Sequence, residues 1–329
     1  METLPTSQHT NVPFDVSFLA NLTYSSVNVI FRPLGEGTLP LFFGTSLRGA
    51  LGYRIPLRHP LHAIYGRDDD VRPLILAPRL PALWDPIVNG GPVPPPFSIA
   101  PSPDGRKLPV LTAPKFGLEP DCTLQVRFTL LGRYASDTGD LLRFLACKPL
   151  QIDGALLELV EARDLAMSGT VLWADGGPTG SEATICTFEI PPDLARRPIP
   201  RLRVQLLSPL CRHVEGAGDG FTAPEFLAAA LKRSIALYDA FQKTEGTRSP
   251  WMELPRELPR IAGRRLYRHY FDRVSHSQQR TMSFGGLVGC FDLIGNNSAV
   301  LPLLLAAELL HMGQKSSVGF GQIQCLPGD

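Results

Sequence analysis

The chain has 329 residues, 44% of them hydrophobic, with 32 basic and 31 acidic side chains. That length and apolar share exclude wholesale disorder and leave room for two domains, each with its own core. The apolar run from Val300 to Leu310 is too short to span a membrane, and residues 1–7 lack the charged and apolar regions of a signal peptide, so a cytoplasmic protein without a membrane partner is expected.

In chain order, residues 1–24 show no clean period and read as an irregular lead-in. Ser25 to Pro33 alternates as a strand, with Val27, Val29 and Phe31 on one face. Gly44 to Tyr53 reads as the first helix, capped by Thr45 or Ser46, with Arg48 and Arg54 pointing outward. From Pro73 to Pro114 prolines and glycines exclude regular structure apart from a strand near Leu74 to Ala77. Cys122 to Leu131 is the cleanest strand, its Leu124, Val126, Phe128 and Leu130 alternating with Gln125, Arg127 and Thr129. Asp137 or Thr138 then caps a helix to Ala146, and Leu156 to Arg163 is the returning strand.

The second half repeats this order. Arg201 to Leu207 is a strand, and Thr222-Ala-Pro-Glu225 is a capping box opening a helix to Phe241. Tyr267 to Val274 and Phe284 to Ile294 are strands, Ser298 to His311 the second helix, and Phe320 to Cys325 the closing strand. The fold class is therefore α+β, two tandem ferredoxin-like (βαββαβ) domains over 1–190 and 191–329, the first with a proline-rich insertion at about 73–118. The six cysteines form no C-x-x-C pair and are expected to be buried reduced thiols.

Two features point to a polyanion. Arginines cluster, five between Arg196 and Arg212 with no acid and seven between Arg256 and Arg280, whereas the whole chain has six lysines. Arginine suits bidentate phosphate contact and stacking on bases. The loop Gly313-Gln-Lys-Ser-Ser-Val-Gly-Phe-Gly321 combines three glycines with Lys315, Ser316 and Ser317, the parts of a phosphate-holding nest. It follows a helix and lacks Gly-Lys-Ser/Thr, so it is no P-loop, and Gln324 breaks a dinucleotide pattern.

The stretches Arg273-Val-Ser-His-Ser-Gln-Gln-Arg280, Phe284-Gly-Gly-Leu-Val-Gly289, Ala306-Ala-Glu-Leu-Leu-His-Met-Gly313 and Lys315-Ser-Ser-Val-Gly-Phe-Gly321 resemble, in that order, the C-terminal signature of the CRISPR-associated endoribonucleases that process precursor CRISPR RNA. These belong to the RAMP superfamily. Leu39-Pro-Leu-Phe-Phe-Gly44 and Leu47-Arg-Gly-Ala-Leu-Gly52 resemble the start of the same family. The resemblance implies metal-independent cleavage at the 3′ side of a repeat hairpin, leaving 2′,3′-cyclic phosphate and 5′-hydroxyl ends, often with a histidine near the first helix. It implies the precursor RNA and its 3′ hairpin as partner, with other CRISPR effector subunits as further partners, and no metal or cofactor.

Such cleavage needs a base for the ribose 2′-hydroxyl, an acid for the leaving oxygen and a cation for the phosphate. His59 and His62, beside Tyr53, Arg54 and Arg58, are the candidates; His62 comes first because Pro60 holds His59 extended. Both also fit solvated loop histidines, and two further ligands for a zinc pair are lacking. His276, with Arg273 and Gln278, is placed to contact RNA. His311 reads as a capping histidine at a helix C-terminus, where the dipole favours a cation, while His213 and His269 have no special context. Arg48, Arg54, Arg201, Arg203, Arg264, Arg265 and Arg268 are the remaining RNA-binding candidates, with Gly313, Lys315, Ser316, Ser317, Gly319 and Gly321. The aromatic consensus of RNA-recognition sheets is absent, so base stacking on an exposed sheet face is not expected. The rival is a non-catalytic RAMP subunit of an effector complex, because Pro149-Leu-Gln-Ile-Asp-Gly154 has one glycine where the first domain's own glycine-rich loop would fall. A third reading, a small-molecule phosphate binder, leaves the arginine clusters unexplained.

Overall fold

The computed structural model describes residues 14–40, 42–52, 54–55, 59, 96–103, 115–166, 169–192, 194, 197–211, 220–243, 254–275 and 280–328. In the first half, β1 (Thr23–Pro33), α1 (Gly44–Gly52), β2 (Phe97–Pro103), β3 (Leu124–Leu131), α2 (Thr138–Ala146) and β4 (Ala155–Asp164) follow one another. Their strands lie in the antiparallel order β2-β3-β1-β4. The second half has β5 (Arg201–Leu210), α3 (Ala223–Phe241), β6 (Arg260–Ser275), β7 (Arg280–Ile294), α4 (Leu301–Leu310) and β8 (Ile323–Pro327), in the order β6-β7-β5-β8. Both are the ferredoxin-like arrangement, in which each helix crosses over a sheet whose central strands are the first and third.

The alternation in β1 and β3 sets the register of the first sheet. Val27 pairs with Phe128, Val29 with Val126 and Phe31 with Leu124, and all six side chains are buried on the face that α1 and α2 cover. In the second domain Phe221, Phe226 and Phe291 form a closed trio with ring centroids 5.3, 5.2 and 5.0 Å apart. α3 starts on the expected capping box: Glu225 N–H donates to Thr222 Oγ1 (3.4 Å), and Thr222 N–H donates to the Glu225 carboxylate (2.7 Å). α4 is apolar almost all round, and that suits its position between the second core and the first domain.

Several expectations need correction. The expected strand at Leu74 to Ala77 lies outside the described residues, and the second strand of the first domain is instead Phe97–Pro103. Pro101 and Pro103 are tolerated there because, among the described residues, β2 is an edge strand that pairs only with β3. The lead-in is not wholly irregular. Ser17–Asn21 form a 3-10 turn, and Phe18, Leu19 and Leu22 are buried in the core of the second domain. Of the six cysteines, all free, only Cys211 and Cys325 are buried and Cys147 is exposed. Asp153 and Gly154, both at positive φ (48° and 93°), form the two-residue turn of a hairpin between Leu150–Ile152 and β4. That turn needs one glycine, so the missing glycines at 149–154 reflect a tight hairpin. Among the described residues no helix is long and apolar enough to cross a membrane.

Phe291 is fully buried within its aromatic trio. Phe291→Ala is expected to destabilise the protein by about 3–5 kcal/mol, read as a lower urea midpoint with an unchanged slope.

Candidate nucleic-acid interface

The seam between the domains is built on the C-terminal end of α4. A helix leaves its last carbonyls without internal partners. Here Glu308 O accepts from Arg127 Nη2 (3.1 Å), Leu309 O from Ser98 Oγ (3.0 Å), and Leu310 O and His311 O from Arg233 Nε (3.0 and 3.1 Å). Ser98 and Arg127 project from the side of β2 and β3 opposite the first core, so the first domain caps a helix of the second. Burial lowers the pKa of both guanidinium groups, that of Arg233 to about 9. The Glu308 carboxylate is also buried, which raises its pKa, but the Cys325 N–H and Arg127 oppose that shift.

His311 follows α4 at φ 58° and is 1% exposed. Burial, then Arg127 and Arg233, hold its pKa well below the ordinary value, so it is neutral. The expected capping cation is therefore corrected: Arg127 and Arg233 supply the charge at this helix end.

The glycine-rich loop extends the same seam. Gln314 N–H donates to Cys211 O (3.2 Å), Val318 and Phe320 N–H to Lys315 O (3.0 and 3.3 Å), Gly319 N–H to Ser316 O (3.1 Å), and Gly321 N–H to Pro209 O (3.0 Å). A Cβ on Gly319 would stand 2.9 Å from Pro101 and 3.1 Å from Ile99 O, and one on Gly313 would stand 2.8 Å from Cys211 O. A Cβ on Gly321 would strike Met312 O, and one on Gly44, at the start of α1, would strike Val318 O. The close approaches these glycines permit are to the protein's own residues, and five of the loop's N–H groups, those of Gln314, Val318, Gly319, Phe320 and Gly321, donate within the fold. Ser316 is buried, whereas Lys315, in the left-handed region at φ 60°, is exposed.

Next to the loop, β6 and β7 run past the sheet. β5 pairs with β7 only over Leu287 to Ile294, so, among the described residues, segments 268–275 and 280–287 pair only with each other as a two-stranded ribbon, Leu287 alone also meeting Leu210. Arg260, Arg264, Arg265 and Arg268 are exposed on β6, as are Tyr267 and Tyr270, each 64% exposed. Arg268 Nη1 donates to the Tyr270 hydroxyl (3.2 Å), and the Tyr270 ring lies over Gly285. His269, partly buried, meets Phe42 edge-on at 5.5 Å, and Phe42 meets Phe320 of the loop at 6.1 Å.

Residues 204–323, nearly the whole second domain, match the family model of the CRISPR-associated endoribonuclease Cas6. The match covers the C-terminal domain of the chain. A chain of a partial Cas6-RT-Cas1–Cas2 complex is 11% identical and has a TM-score of 0.52 over 93% of this chain and 46% of its own length. A Cas6 product complex (18% identity, TM-score 0.49, 92% of this chain and 100% of that one) and Thermus thermophilus Cas6 (16%, 0.49, 93% and 99%) are also similar. At these identities the likeness to the Cas6 structures is one of fold. No curated protein sequence matches the chain.

The other expected site residues are dispersed. His59 Nε2 lies 2.9 Å from Asp140 Oδ2 in the first turn of α2, its ring edge-on to Phe144. Arg54 does not point outward. Its guanidinium gathers the carbonyls of Phe144, Leu145, Lys148 and Pro149 around the C-terminal end of α2. Arg48 is half-buried, with its cation 5.9 Å over the Phe97 ring. Arg201 and Arg203 share the Asp292 carboxylate at 2.6 and 3.0 Å, and both hydrogen bonds favour its ionised form. Arg264 Nη2 donates to Phe221 O (3.0 Å). Arg273 lies in β6 opposite Met282, and Ser317 lies in the 3-10 turn Ser316–Val318. Tyr53, Arg58, His62, His213, His276 and Gln278 lie outside the described residues.

Sequence reasoning missed Arg127, Arg233, Tyr267 and Tyr270. Arg233 had a signal, since it stands seven residues after Phe226 and four before Leu237, on the apolar stripe of α3. Tyr267 and Tyr270 bracket Arg268, an aromatic-basic run visible in the sequence.

A neutral His311 makes stability pH-dependent. The unfolded chain binds a proton near the ordinary value of 6.5 and the folded chain does so only well below it, so stability is full above that value and falls as pH drops beneath it. The midpoint of thermal unfolding is expected to decline between pH 7 and pH 5, and His311→Asn, which does not titrate there, to flatten that decline.

Proposed function

We propose that the chain binds the repeat hairpin of precursor CRISPR RNA and cuts it once on the 3′ side, without metal, leaving 2′,3′-cyclic phosphate and 5′-hydroxyl ends. One observation carries the RNA-binding part of this reading: in the domain that matches the Cas6 model, β6 bears exposed arginines and two exposed tyrosines and runs on past the sheet as one strand of a ribbon. A two-stranded ribbon is narrow enough to meet a nucleic-acid groove. Guanidinium groups pair with phosphates and stack on bases, and tyrosine rings stack on bases that have left a helix.

In this reading Arg265, Arg268, Tyr267 and Tyr270 contact the hairpin, with Lys315 at the seam beside them. Arg273, His276 and Gln278 extend the same ribbon in sequence and are assigned to the same contact. Arg201 and Arg203 keep part of their charge for RNA beyond their shared partner, one carboxylate between two guanidinium groups. Arg54 acts indirectly, by holding the end of α2. His62, with Tyr53 and Arg58, is assigned to proton transfer and phosphate contact on the resemblance stated above. His59 is assigned to the same neighbourhood as its anchor on Asp140. The Cas6 product complex and the Cas6-RT-Cas1–Cas2 assemblies among the similar structures support an RNA partner and other CRISPR proteins as further partners.

Labelled repeat RNA is incubated with the protein in excess chelator. A single cyclic-phosphate product, lost in His62→Ala, is expected. Binding without a product would make the protein an RNA-binding subunit of an effector complex instead, and no affinity at low salt would remove both readings. Replacing Arg265 and Arg268 together by alanine is expected to weaken binding of any RNA and to lower the slope of log affinity against log salt by about 0.7–0.9 for each phosphate left without its guanidinium.

A further inference from the structure

We infer that Arg201, Arg203 and Asp292 form one preassembled seat for a single backbone phosphate of the RNA, on the outer face of the second sheet, with Asp292 as its positioning residue. This rests on the RNA-binding reading and adds to it an acid, which charge alone would exclude from any part in holding RNA.

Arg201 and Arg203 stand two residues apart on β5, on the side of the sheet turned away from the second core, into which Leu202 and Val204 point. Two residues along a strand span about 6–7 Å, and two guanidinium groups brought together from that spacing repel. Asp292 of β7, directly opposite Arg203, holds them against that repulsion: Arg201 Nη2 donates to Oδ2 (2.6 Å) and Arg203 Nε to Oδ1 (3.0 Å). Each carboxylate oxygen thus fixes one fork by a charge-assisted bond. The remaining N–H groups of both guanidiniums, among them both Nη groups of Arg203, meet no other acceptor among the described residues.

The acid itself is shielded from a phosphate. Asp292 is 5% exposed, whereas the side chains of Arg201 and Arg203 are 47% and 46% exposed. On the other flank the register of β6 shifts between Ala262 and Arg265, and a Cβ on Gly263, at φ 55°, would stand 3.0 Å from Asp292 Oδ2, so this bulge lies against the carboxylate. The stem of Arg201 is held as well: Gly328 N–H donates to Arg201 O (3.0 Å), and a Cβ on Gly328 would stand 3.3 Å from Arg201 Cγ and Cδ. Two guanidinium groups over one buried carboxylate leave one positive charge, the complement of one phosphodiester.

The seat adjoins the arginine-bearing strand. On the next rung of the same face, Gln205 pairs with Cys290, and Cys290 pairs with the exposed Arg265 of β6. Among the described strand residues of this face Asp292 is the one acid. A flexible arginine loses rotamer freedom when it grips a phosphate. Here Asp292 has removed that freedom from both arginines beforehand, and their forks present donors in fixed directions. The acid therefore strengthens RNA binding through the arginines, although it lowers the net positive charge of the surface.

The test measures affinity, in chelator, for repeat RNA carrying a 2′-deoxy nucleotide at the cut and, one position at a time, an uncharged methylphosphonate in place of a phosphate. Wild type is compared with Asp292→Asn and with Arg201→Lys plus Arg203→Lys, a pair that keeps both charges on exposed side chains and loses the forks. Asp292→Asn, although more positive, is expected to bind the unmodified RNA about 5- to 100-fold more weakly, with a salt slope smaller by about 0.7. One linkage is expected to matter in the wild type and not in Asp292→Asn, the others mattering equally in both. The lysine pair is expected to behave alike, and in a chain with alanine at 201 and 203 Asp292→Asn is expected to cost nothing further, which a general loss of structure would not reproduce. Affinity within about twofold of wild type, or higher, in Asp292→Asn or in the lysine pair overturns the inference. So does an equal response of wild type and Asp292→Asn to every methylphosphonate; if inorganic phosphate then raises the thermal midpoint of the wild type alone, the seat serves a free anion instead. No affinity of the wild type for repeat RNA at low salt is a different result: it removes the RNA-binding reading and this inference with it.

Discussion

The carbonyl groups of Glu308, Leu309, Leu310 and His311 end a helix inside the protein, where an unpaired carbonyl costs about 1–3 kcal/mol. Arg127 and Ser98 reach them from the first domain's sheet, and Arg233 from the neighbouring helix. The arrangement makes the two domains one structure. It also explains why a strand as regular as β3 carries an arginine between Val126 and Phe128: the face that looks like the wet side of a sheet is covered by α4. The loop after α4 is then pressed against α1 and β2, where only glycine fits at 44 and 319.

Much of this fold was legible in the sequence because each domain repeats one rule, alternating strands separated by capped or apolar helices. Thr222 and Glu225 named the start of α3 correctly, and Val27, Val29 and Phe31 named the inner face of β1. Phe97–Pro103 was not legible, because its prolines argue against a strand and only its place at a sheet edge removes the objection. What covers a sheet was equally hidden, since alternation distinguishes two faces without saying that the second is also buried. That one fact separates Arg127, a cap, from Arg265, an exposed cation, although both sit in strands.

The arginine-rich composition thus resolves into three jobs. Arg54, Arg127 and Arg233 hold helix ends, where a planar guanidinium presents its donors in a fixed fork. Arg201 and Arg203 balance Asp292. Arg265 and Arg268 remain at the surface beside two tyrosines. Clustering in the sequence pointed to the second and third groups but not to the first, whose members lie outside the two arginine-rich runs. The glycine loop carries a similar lesson: spacing suggested a ligand, and the Cβ positions show that the nearest partner is the protein's own backbone.

Phe18, Leu19 and Leu22 leave the ribosome ahead of both sheets, yet the core that receives them also contains Ile323 and Cys325, which emerge after both. During synthesis those apolar side chains have no complete site to enter until the strand that carries Ile323 is made. Because domains generally fold as the chain emerges, the second half closes around residues translated before the first, and its final assembly waits on a strand at the far end of the same core.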